Sequence, residues 1–169
     1  MKKILTTLLI AFVLFNVTGC VENSEVSDKG GENKTKEITT LKLNEDAFVK
    51  NSEGEIRIKF LSVKETSDRN QFSDIKADRV VIIEYEYENK TREEDVFISG
   101  MDFKVYDKDN NALETYPAGE TKYPTSISTG RKTTASEAFA LNNDNNYLEL
   151  EFYDNLFASK ADAKFILEW

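Results

Sequence analysis

Residues Arg79 to Asn89 read RVVIIEYEYEN, and their reading decides the fold. Val81, Ile83, Tyr85 and Tyr87 fall on one phase of a two-residue alternation, while Glu84, Glu86 and Glu88 fall on the other. Both the interleaved charges and the β-branched run exclude a helix. The stretch predicts a strand with one face in a core and the other in water.

The same alternation extends outward. In EIRIKFLSV (Glu55 to Val63), Ile56, Ile58 and Phe60 alternate with charged residues until the adjacent Phe60 and Leu61 shift the phase, which predicts a β-bulge. DVFIS (Asp95 to Ser99) and MDFKVY (Met101 to Tyr106) read as further strands. Asp107 to Asn111 (DKDNN) is a turn, after which Ala112 to Tyr116 resumes a strand pattern, so the segment predicts a hairpin. Pro117 to Gly130 (PAGETKYPTSISTG) holds both prolines of the chain and reads as the longest irregular connection. TTASEAFAL (Thr133 to Leu141), YLELEFY (Tyr147 to Tyr153) and AKFILEW (Ala163 to Trp169) supply three more strands, and Asp154 to Lys160 is expected to hold one helical turn. Seven to eight short strands with polar turns predict an all-β fold, an antiparallel sandwich.

VVIIEYEYENKT, DFKVYDKDNNA, STGRKTTASEAFAL and YLELEFYD together resemble the immunoglobulin-like domains of unknown function found in lipoproteins of Gram-positive bacteria. That family is related in fold to the mycobacterial immunoprotective extracellular antigen. The resemblance spans about Glu55 to Trp169 and implies an immunoglobulin-like sandwich. Its motifs are structural, so it carries over no catalytic residues.

The other end of the chain is of a different kind. Lys2 and Lys3 precede an apolar run, Ile4 to Val17, which reads as a secretory signal and is too short for a comfortable membrane span. Val17-Thr18-Gly19-Cys20 resembles the lipobox of bacterial lipoproteins. The resemblance implies cleavage between Gly19 and Cys20 and attachment of diacylglycerol to the Cys20 thiol, the only cysteine of the chain. Two acyl chains anchor stably where one is marginal. Val21 to Thr40 has no aromatic residue and few apolar ones, so it reads as a disordered tether. The expected organisation is therefore signal peptide 1–19, lipidated Cys20 and tether 20–40, and sandwich domain 41–169. The location implied is the extracytoplasmic face of the cell membrane.

Of the 169 residues, 31 are acidic and 22 basic; with the two leader lysines removed the formal charge goes from −9 to −11. No basic groove for nucleic acid is indicated. The chain has no histidine, which removes Ser-His and Cys-His nucleophile pairs and the usual zinc ligands. Asp107, Asp109 and Asn111 open with the spacing of a calcium loop, but Ala112 and Ala118 stand where such a loop needs Gly and Glu, so a hairpin turn is the reading. No metal or cofactor is expected.

Tyr106, Tyr116 and Tyr123, with the loop from Pro117 to Gly130, form the candidate binding surface, since tyrosine offers contact area at low entropic cost and loops host recognition. The function expected is a non-catalytic, membrane-anchored binding module whose partner is an envelope protein or glycan. Two alternatives stay open. A structural, protective or inhibitor-like role would show a cluster of loops with apolar tips at one end of the sandwich. A glycan hydrolase would need two carboxyl groups converging in a groove.

Overall fold

The computed structural model describes residues 38–119 and 121–169. The expected leader, the Gly19–Cys20 junction and the tether up to residue 37 lie outside the described residues.

Eight strands form two four-stranded sheets. They are β1 (Thr40–Lys42), β2 (Asp46–Asn51), β3 (Gly54–Thr66), β4 (Arg79–Asn89), β5 (Phe103–Tyr106), β6 (Lys132–Leu141), β7 (Tyr147–Phe152) and β8 (Ala163–Glu168). One sheet has the order β1-β8-β7-β5 and the other β2-β3-β4-β6. Alternation explains the layering: Val81, Ile83, Tyr85 and Tyr87 of β4 are buried against Leu148, Leu150 and Phe152 of β7 and Phe165 and Leu167 of β8 within one core. At its centre Phe60 meets Phe165 and Phe103 edge-on, with ring centroids 4.7 and 5.3 Å apart, a geometry that favours the aromatic quadrupoles. The phase shift read in β3 is a bulge between Phe60 and Ser62, across from Tyr85 and Glu84.

Four details differ from the expectations. The sandwich is not wholly antiparallel, because β1 runs parallel to β8. No hairpin joins these two strands, so no turn dictates their relative direction. Asp95 to Ser99 forms no strand; Val96 makes a single bridge to Ile127. Ala112 to Tyr116 stays with β5 only briefly, through the Leu113 N–H to Val105 carbonyl bond of 2.8 Å, then crosses to the other sheet. There the Tyr116 N–H donates to Ala138 and the Ala140 N–H to Glu114. Asp154 to Lys160 is a turn rather than a helical one.

The outer face of β4 is not simply in water. Toward its start, Val80, Ala138 and Ala140 pack under Tyr116 and Ala118 in a second apolar cluster. Toward its end, Arg57 of β3 is buried and binds Glu86 at 2.5 Å, Glu88 at 2.9 Å and Asp46 at 2.8 Å. Such charge-assisted bonds offset the desolvation of the guanidinium.

Candidate functional site

The open side of the sandwich lies beyond β6. Its edge is covered by the returning chain: Lys122 and Ser136 exchange bonds of 2.7 and 3.0 Å, and the Tyr87 hydroxyl donates to the Thr125 carbonyl at 2.5 Å. Covering an edge in this way removes a template for unwanted strand pairing. Where this loop meets the one after β3, a groove of about 540 Å3 forms, with Asp68, Tyr116, Tyr123 and Glu137 among its walls.

Each wall has a traceable origin. Tyr116 is 5% exposed, and its hydroxyl accepts the Asn70 N–H at 2.9 Å. Asp68 accepts the Gly119 N–H at 2.6 Å, tying the two loops together. Tyr123 projects freely, 87% exposed. Glu137 lies on the core-facing phase of β6, opposite Ile83. Burial pushes its carboxyl above the ordinary range, against hydrogen bonds from the backbone of Ala138 and Gly100.

The structure thus brings Tyr116 and Tyr123 to one groove. It does not bring Tyr106, which pairs with Glu149 in the opposite sheet. As a binding surface the set needs revision: Tyr116 supports the groove from beneath, since the apolar cluster of Val80 and Ala138 encloses its ring. Asp68 and Glu137 were missed. Glu137 left a signal in TTASEAFAL, where it occupies the phase otherwise held by Ala135, Phe139 and Leu141. Asp68 left none, because it acts through a contact across 51 positions of sequence.

A larger concavity, about 740 Å3, opens at the end of the sandwich where the β2–β3 turn, the chain after β4 and the chain after β7 meet. Its floor is a buried ion pair: Arg92 donates to both carboxylate oxygens of Asp154 at 2.9 and 2.6 Å, and the Asn51 side chain adds 2.8 Å. Asp102 caps the adjoining 3-10 turn by accepting the Ser99 N–H at 2.8 Å. Burial raises the Asp102 carboxyl, and Asp154 nearby adds to the rise. Both carboxylates are engaged in holding loops, Asp154 against a guanidinium and Asp102 as a cap. The same applies to Asp107, whose carboxylate accepts bonds from Asp109, Asn111 and Asn143. Among the described residues no group of three or more acidic or cysteine side chains is placed to hold a metal ion. Cys20 and Gly19 lie outside the described residues.

The family described as "Domain of unknown function (DUF5067)" matches residues 24–154. No curated protein matches the chain. Among solved structures, the secreted protein MPT63 from Mycobacterium tuberculosis superposes with a TM-score of 0.61 at 13% identity, covering 78% of this chain and 98% of its own. The yjhA protein from Bacillus subtilis gives 0.55 at 15% identity, covering 76% and 98%. A putative lipoprotein, ycdA, from Bacillus subtilis subsp. subtilis strain 168 gives 0.56 at 14%, covering 73% of this chain and 38% of its own. At these identities the likeness is one of fold.

Proposed function

Because the chain belongs to the DUF5067 family, and its fold recurs in a secreted protein and a putative lipoprotein, we propose that it is an extracytoplasmic lipoprotein, anchored through Cys20, whose sandwich is a non-catalytic binding module. The Val17-Thr18-Gly19-Cys20 sequence supports the anchor.

The observation that carries the binding role is the groove beside β6. An exposed Tyr123 stands over a floor that Tyr116, Asp68 and Ser136 hold in place. A rigid floor with one free aromatic lowers the ordering cost of association. The carboxylate of Asp68 flanks it and suits a ligand rich in donors, such as an envelope glycan or a peptide backbone. The test is affinity capture from intact envelopes with the full-length protein, wild type against Tyr123→Ala. A species captured by the first and lost by the second supports the reading; equal capture by both removes the groove from it.

An inhibitor-like role is the second reading. The observation favouring it is a set of exposed apolar residues in loops at one end of the sandwich, Phe97, Leu156 and Phe157.

A further inference from the structure

Phe97, Leu156 and Phe157 share an end with the start of β1. Phe97 lies in the connection from β4 to β5 and lines the concavity at that end, and Leu156 and Phe157 lie in the connection from β7 to β8. Arg92 and Asp154 bind the two connections together, which puts them at the same end. β1 is parallel to β8, with Thr40 opposite Lys164, so the start of β1 lies beside the start of β8, directly after the Leu156–Phe157 loop. Phe157 is 95% exposed and Phe97 52%. Large apolar side chains gathered on loop tips mark a contact surface rather than chance exposure.

We propose that this end docks on the outer surface of the membrane, with Phe97, Leu156 and Phe157 entering the interfacial layer as a second attachment beside the lipid. The inference rests on the anchoring reading of Cys20. Twenty positions separate Cys20 from Thr40; a flexible chain of twenty residues has a root-mean-square span of roughly 25 Å and a longer reach when extended. The lipid therefore holds these tips at high effective concentration over the bilayer, where even a modest apolar insertion is favoured. Charge does not drive it: among the exposed residues at this end, Glu53, Glu93, Glu94, Asp95 and Asp162 outnumber Lys50, Lys90, Arg131 and Lys160, so the attachment rests on the apolar tips. The orientation also leaves the groove of Tyr123 to the side of the domain, and turns the Asp107–Asn111 turn outward at the far end.

The full-length protein reconstituted in vesicles carrying nitroxide-labelled lipid tests this. A fluorophore is placed through Ser159→Cys, in the loop of Leu156 and Phe157, or through Lys108→Cys, in the far turn. Lipidated Cys20 has no free thiol, so only the introduced cysteine is labelled. The expected result is several-fold stronger quenching at 159 than at 108, lost when Leu156→Ser and Phe157→Ser are added. Equal quenching at both sites, with the protein still in the membrane fraction and Cys20 unlabelled, would overturn the docking and leave the anchor intact; the tips would then fit a protein partner. Labelling of Cys20 in the wild-type protein recovered from cells would overturn the anchoring, and the docking with it.

Discussion

Arg92 and Asp154 form a two-pronged ion pair across the interface of the two sheets, at 2.9 and 2.6 Å, with both side chains about nine-tenths buried. Arg92 follows β4 of one sheet and Asp154 follows β7 of the other. The pair therefore fastens the two sheets where the chain leaves β4 and β7. Truncation of one partner leaves the other charged and buried. Asp154→Ala is expected to cost about 3 to 4 kcal/mol in urea unfolding, whereas Arg92→Met combined with Asp154→Leu recovers much of that loss.

The two tyrosines of the groove are expected to separate stability from binding. Tyr116→Phe leaves the Asn70 N–H without its acceptor and should cost about 1 kcal/mol. Tyr123→Ala removes an exposed ring and should change stability by less than about 0.5 kcal/mol. Thermal unfolding of the two variants checks the split.

Acid should weaken the outer face where β3 and β4 pair. Arg57 holds Glu86 and Glu88 below their ordinary value of 4.5. Groups depressed in the folded state stabilise fully above the unfolded pKa, and that stability is lost as pH falls through the folded pKa. Arg57→Leu is therefore expected to cost about 2 kcal/mol at pH 7, with the gap to wild type closing below pH 4.5. Stability curves of both proteins against pH give the measurement.

Glu137 should behave with the opposite sign. Its carboxyl is raised by burial above 4.5, so its ionisation opposes folding, and stability declines as pH rises from the unfolded pKa through the folded one. Glu137→Gln keeps the acceptor oxygen and removes the charge. The variant is expected to be more stable than wild type at neutral pH, with the gain vanishing below pH 4.5.

The backbone of Gly100 packs against that carboxylate. A Cβ there would stand 2.6 Å from Glu137 Oε2 and 2.8 Å from its Cγ. Gly100→Ala must displace the side chain, at a cost of about 1 to 2 kcal/mol. In a Glu137→Ala background the cost should largely disappear, and a double-mutant cycle reads the coupling.

The strands were legible where one face is apolar and the other charged. RVVIIEYEYEN is β4 from first residue to last, and the adjacent Phe60 and Leu61 announced the bulge of β3. β1 and β2 were not read, because three and six residues with a single clear apolar pair carry little periodicity. The second half of the expected hairpin failed for another reason. Asp107 builds a tight turn with its own carboxylate, yet the chain beyond it leaves β5 after Leu113 and bonds to the edge of β6 through Tyr116 and Glu114. The groove was half legible. Tyrosine in a proline-rich loop pointed to Tyr123, but which tyrosine is buried depends on Val80 and Ala138, which no local pattern places beneath Tyr116.

The central claim is that the groove beside β6 binds an envelope component. A photo-crosslinking residue placed at Tyr123 of the full-length protein in living cells tests it most directly, with the same residue at Lys108 as control. A discrete adduct formed from position 123 and absent from position 108 is the predicted result. Indistinguishable crosslinking from the two positions, in a protein shown to be folded and at normal abundance, would contradict it.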